Sequence, residues 1–139
     1  MRQTRDKIEV SGRGRGFTDL TADFARFVKS SAIRIGVLTA FVPHTSASLV
    51  IQENADPDVR RDLEAFFARL VPDGDPAYHH GSEGPDDMPS HIRSALTQTQ
   101  LSIPIDEGRM TLGMWQSVYL WEHRTRPRPR HVVLHAVGE

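Results

Sequence analysis

Ile33, Ile35 and Val37 alternate with Arg34 and Gly36, and the run stays apolar to Val42 until Pro43 stops it. A period of two is the mark of a strand with one covered face. The same reading gives strands at Lys7 to Val10, Ala47 to Gln52, Leu101 to Ile105, Met110 to Trp121 and His131 to Val137, with a turn at Asp106-Glu107-Gly108. Between them the period changes. Leu20, Phe24, Phe27 and Val28 share one face of a helix that Thr18 or Asp19 can cap. Asp56-Pro57 opens a second helix in the favoured order of cap and then proline, with Val59, Leu63, Phe66, Phe67 and Leu70 on its apolar face. Ser90 is placed to cap a short third helix through Ile92, Ala95 and Leu96. Short turns between neighbouring strands favour an antiparallel or mixed β-sheet with helices packed on one face. The expected fold is a single α+β domain over residues 1–139.

Composition narrows the function. A chain of 139 residues is one domain, and it has no cysteine, which excludes disulfides, thiolate metal sites and cysteine nucleophiles. A formal net charge of −1 offers no field for nucleic acid or an anionic membrane. No apolar run approaches the ~18 residues of a membrane span, and Met1 to Lys7 lacks a secretory segment. A cytoplasmic protein is expected. Gly12-Arg13-Gly14-Arg15-Gly16 has the wrong spacing for a dinucleotide loop and reads as a flexible surface turn. His131 and His135 lie four apart on a strand, roughly 13 Å from each other, too far to share an ion. His123 and the arginines from Arg124 to Arg130 read as solvated residues.

From Pro72 to Pro89 no period survives, and an ordered loop of that length in a small domain is usually functional. It carries His80. His44 follows Pro43 at a strand end, and His91 follows the cap of the third helix. All three stand where the chain changes direction. Two readings remain open from spacing: three imidazoles around one divalent ion with a position left for substrate, or three ordinary polar histidines. Glu83, Asp86 and Asp87 flank this set and can orient the imidazoles or act as general base. Glu53 follows Leu49-Val50-Ile51, where a carboxylate is hard to explain as mere solvation.

Pro43-His44-Thr45-Ser46-Ala47-Ser48, Glu53-Asn54-Ala55-Asp56-Pro57 and Glu83 through Ile92 resemble the motifs of the YjbQ-like family, as do Gly108, Gly113-Met114-Trp115-Gln116 and the closing Val137-Gly138-Glu139. The likeness spans essentially the whole chain. Met114 and Gln100 depart from the family's usual threonine and serine. The resemblance implies a small α+β domain that forms a homotrimer and holds a metal through His44, His80 and His91. It also implies roles for Glu53, Asn54, Trp115 and Gln116, and a secondary thiamine-phosphate synthase activity.

That reaction joins a pyrimidine pyrophosphate to a thiazole phosphate. It requires a cation for the leaving group, donors for phosphate oxygens and a platform for the pyrimidine. A bound ion, Arg93 and Trp115 are the candidates for these roles, and Ser46 is a further candidate substrate contact. Imidazole ligands suit zinc, nickel or manganese better than magnesium. Two other expectations stand beside it. One is a metal-assisted hydrolase of a small phosphorylated compound with Glu53 as base. The other is a non-catalytic trimer that binds metal or a phospho-ligand.

Overall fold

A computed structural model describes residues 1–139. In chain order the elements are β1 (Arg2–Ser11), β2 (Gly16–Asp19), α1 (Thr21–Ser31), β3 (Gly36–Phe41), β4 (Ala47–Glu53), α2 (Pro57–Leu70), α3 (Asp87–Leu96), β5 (Gln100–Asp106), β6 (Arg109–Met110), β7 (Gln116–Glu122) and β8 (Pro129–Gly138). The strands form two sheets, ordered β1-β8-β3-β5-β6 and β2-β7-β4. Every pairing is antiparallel. No helix is long and apolar enough to cross a membrane.

The alternation seen in sequence sets which face is covered. In β8 Val132, Leu134 and Ala136 are buried, while His131, Val133 and His135 look outward. The inward residues meet Leu38 and Ala40 of β3, Leu101, Ile103 and Ile105 of β5, and Leu49, Val118 and Leu120 from the smaller sheet. Phe24, Phe27 and Val28 of α1 complete this one core. Burying a side chain such as Phe24 is worth about 1.5–3 kcal/mol.

One sheet with helices on one face was the expectation; the molecule has two sheets. The reason lies in the apolar stretch from Met110 to Trp121, which is not one strand. Residues 111–115 break it, so β6 stays with β5 while β7 crosses to pair with β4. Alternate positions of β7 then serve two layers. Val118 and Leu120 face the core, whereas Tyr119 and Trp121 meet Phe17, Arg60 and Phe67 on the other side. Thus α1 packs inside, and α2 covers the outer face of the small sheet. The second helix buries none of its residues, and Phe66 and Leu70 are exposed despite their periodic placement. Gly16, read as part of a flexible turn, opens β2. Asp56 caps α2 by accepting from Asp58 N at 2.9 Å, and Asp19 accepts from Thr21 N at the start of α1. Ser90 caps nothing. The third helix begins three residues earlier, at Asp87, and Ser90 Oγ donates within it to Asp87 O.

Gly36 and Gly138 face each other where β3 and β8 pair. A Cβ on Gly36 would lie 2.9 Å from Gly138 Cα and collide with the Val137 carbonyl. Gly36→Ala is therefore expected to destabilise the domain by about 1–3 kcal/mol, the range for overpacking. An unchanged melting temperature would show that the strands can separate without cost.

Candidate metal centre

The segment between α2 and α3 folds back onto the end of β7, and Arg124 holds it there. Arg124 Nε donates to Asp86 Oδ2 at 2.9 Å, Nη1 to Asp87 Oδ1 at 2.8 Å and Nη2 to Glu83 O at 2.9 Å. Thr125 N adds a bond to Asp86 Oδ2 at 2.9 Å, and Arg15 pairs with Asp73 at 2.8 Å near the segment's start. Arg124 and Arg130 were expected to be solvated, yet both are buried in ion pairs, Arg130 with Glu122 at 2.7 Å.

Asp87, only 1% exposed, is the centre of the arrangement. Its Oδ2 is 2.6 Å from His80 Nε2, and its Oδ1 is 3.3 Å from His91 Nε2. His91 Nδ1 donates to Thr45 O at 2.9 Å, which fixes the ring and leaves Nε2 free to bind. One ligand atom from each of His80, Asp87 and His91 lies within 4.8 Å of the others. Burial alone would raise the Asp87 carboxyl. Hydrogen bonds with Glu83 and His80 and the charges of Arg124 and His91 outweigh it and hold the group below the ordinary carboxylate range. Asp86 is held low in the same way, its burial overcome by Arg124 and Thr125. A carboxylate whose ionised form is favoured, set between two imidazoles, is a donor set that fits a divalent ion of the zinc type.

His44 is outside this cluster. Its Nε2 accepts from His131 N at 3.1 Å, and its ring packs edge-on against His131. Burial, with Arg130 and His131 nearby, pushes its imidazole below the usual value. It does share a cleft of about 530 Å³ with His91, lined also by Thr45, Ser94, Thr97 and Thr99. The remaining sequence-derived residues stand elsewhere. Ser46 is buried and receives Arg130 Nη2 at 2.7 Å. Arg93 is 0% exposed and pairs with Glu64 of α2. Two residues along a helix turn a side chain through about 200°, so Arg93 points away when His91 faces the cleft. Glu53 closes β4, about 20 Å from Ala47 at ~3.3 Å per residue, and its Oε2 accepts from Asp56 N at 2.8 Å. Asn54 Nδ2 donates to Ser117 Oγ at 3.1 Å, and Gln116 Oε1 accepts from Gly113 N at 2.8 Å. Trp115 beside them is 60% exposed. The histidines thus gather at one end of the small sheet, and Glu53, Asn54, Trp115 and Gln116 at the other.

Residues 6–139 match the family model described as UPF0047 protein YjbQ-like. The chain belongs to this family. A UPF0047 protein of Synechocystis sp. is 51% identical over 138 residues, covering 99% of this chain and 94% of that protein. The UPF0047 protein YjbQ of Escherichia coli O157:H7 is 41% identical over 133 residues, covering 95% and 96%. Among solved structures, a YjbQ/UPF0047 family protein of Clostridium acetobutylicum superposes with a TM-score of 0.87 at 32% identity, covering 95% and 99%. A YbjQ-like protein of unknown function from Sulfolobus solfataricus P2 shares the fold, with a TM-score of 0.90 at 23% identity over 99% of each chain. None of these names states an activity. Family membership and the expected α+β class stand on these matches.

Sequence reading missed His123. It is 0% exposed, with Nε2 2.7 Å from Ser48 Oγ, and its Nδ1 has no partner. Burial first, then the charges of Arg93, Arg15 and Arg130, pushes its pKa down to about 3. The unfolded chain therefore takes up a proton that the folded chain refuses between pH 6.5 and about 3. Stability is full above that window and falls as pH drops through it. His123→Asn should flatten this decline, read as urea midpoints on the two sides of the window. An equally steep decline would place the acid sensitivity in other groups.

Proposed function

We propose that this protein is a metal-dependent hydrolase of a small phosphorylated compound, with zinc the best match and nickel or manganese alternatives. The observation that carries the reading is the convergence of His80, Asp87 and His91 beside a hydroxyl-lined cleft. A divalent ion held there would supply charge for a phosphoryl oxygen. Thr45, Thr97 and Thr99 offer neutral hydrogen bonds to the rest of the ligand. With an ion on Asp87 in place of the hydrogen bond that Glu83 gives it, Glu83, exposed to solvent, would be ionised and free to take the proton of an attacking water. Thiamine-phosphate formation is supported less well. Arg93 is fully buried on the side of α3 that faces Glu64, away from His91, and Trp115 stands at the far end of the small sheet.

The test is a screen of phosphate monoesters with zinc-, nickel- and manganese-loaded protein. Glu83→Gln should retain the ion and lose about 10²–10⁴-fold in turnover, the usual weight of a general base. Unchanged turnover removes Glu83 from the role, and saturable binding without product favours a non-catalytic binder.

The homotrimer implied by the resemblance enters the same proposal. Val37, Phe41, Val133 and Val137 lie on the outer face of the five-stranded sheet, which no helix of the chain covers. Other copies of the chain would cover this face, giving three times the 15.6 kDa protomer mass in light scattering.

A further inference from the structure

The hydrogen bonds that aim His91 and Asp87 both lead back to one buried ion pair, Arg130 with Glu122. A neutral imidazole carries a single ring proton, and two acceptors stand near that of His91. Thr45 O is 2.9 Å from Nδ1, and Asp87 Oδ1 is 3.3 Å from Nε2. An ion needs Nε2 bare, so the proton has to stay with Thr45.

Thr45 lies between β3 and β4, outside both strands. Its neighbours are pinned instead. His44 Nε2 accepts from His131 N at 3.1 Å on one side. On the other, Ser46 O accepts from His123 N at 3.1 Å and from Arg130 Nη2 at 3.2 Å. Ser46 Oγ accepts from the same Nη2 at 2.7 Å. Arg130 is in turn fixed by Glu122, with Nε and Nη2 each 2.7 Å from a carboxylate oxygen.

The same carboxylate governs the competing acceptor. Glu122 Oε2 accepts from Arg124 N at 3.2 Å, and Arg124 Nη1 donates to Asp87 Oδ1 at 2.8 Å. An oxygen already taken by a guanidinium draws less strongly on the His91 proton. One ion pair therefore supports the Thr45 contact and weakens the rival one. Arg130 and Glu122 are 5% and 3% exposed. A pair buried so deeply adds little stability over an apolar pair of the same size. What an apolar pair lacks is its directed hydrogen bonds.

We propose that Arg130 and Glu122 are positioning residues for the candidate metal centre, holding His91 as the Nδ1–H tautomer so that Nε2 faces the ion. The inference rests on the metal-site reading above, yet the tautomer is measurable with no metal present.

The experiment is long-range proton–nitrogen NMR of the metal-free full chain at about pH 9, where histidine is neutral. His91 should show the Nδ1–H form in at least about 10-fold excess, the weight of one net hydrogen bond. Arg130→Lys keeps the charge without the planar fork, so it cannot serve Glu122 and Ser46 together. It should bring the tautomers toward equality and weaken zinc binding about 10–100-fold, the usual cost of losing an outer partner. Ser46→Ala loses only the bond to Oγ and should shift the tautomer ratio by about 3-fold in the same direction. An unchanged ratio there overturns the proposal even if Arg130→Lys does not fold. So does an Nε2–H majority in the parent protein, or an Arg130→Lys protein with a lower melting temperature but parental tautomer ratio and zinc affinity. If Arg130→Lys loosens the tautomer while neither protein binds zinc, the positioning role stands and the metal-site reading falls.

Discussion

Arg124→Met should lower the free energy of unfolding by about 3–5 kcal/mol, the usual cost of removing one partner from a buried ion pair. The guanidinium uses both edges at once, reaching Asp86, Asp87 and the Glu83 carbonyl from a single side chain. Methionine fills much of the volume, so the loss measures charge and not a cavity. It strands two carboxylates, one of them Asp87 between His80 and His91. Arg124→Lys should recover only part of the loss, because an ammonium lacks the planar fork that serves three acceptors. Urea denaturation of the three proteins gives the comparison. If Arg124→Met matches the parent, the segment from Asp73 to Asp87 is held by something other than this arginine.

On the proposed function, His91→Ala should abolish binding of a divalent ion by the purified protein. Removing a directly bound imidazole costs more than the roughly 10–100-fold lost when an outer hydrogen-bond partner is removed. His80→Ala should do the same. The informative comparison is His44→Ala against Asp87→Asn. In this structure His44 Nε2 is engaged by His131 N, and Asp87 stands between the two other histidines. The His44 variant should therefore keep its metal and the Asp87 variant should lose it. Elemental analysis reads both. The opposite pattern would restore the three-histidine set and make Asp87 an orienting acceptor for His80.

Much of the fold was readable because its strands have one covered face. The alternation in Leu101 to Ile105 and His131 to Val137 needed nothing beyond period two, and Asp56-Pro57 carried its own start signal. What escaped was non-local. The apolar stretch across Met110 to Trp121 has no mark showing that the chain changes sheets within it. Glu122-His123-Arg124 looks like the wet end of a strand. It is buried because Glu83 to Asp87 folds over it and Arg93 approaches from α3. His80 stood out in sequence because it lies in the long aperiodic segment, and His91 because it follows the expected start of the third helix. Their carboxylate partner was legible only as a neighbour, since which of Asp86 and Asp87 turns inward depends on where α3 begins.

Because β7 carries different cargo on its two sides, it tolerates no change in length. Deleting one residue from Gln116–Glu122 would exchange the two faces, turning the Trp121 indole toward the core and Glu122 into the layer of Phe17 and Phe67. It would also shift Arg124 relative to Glu83, Asp86 and Asp87, the three residues it holds. Insertions and deletions should therefore be confined to joints such as Thr111–Trp115, where added or lost residues leave the strand's registration untouched.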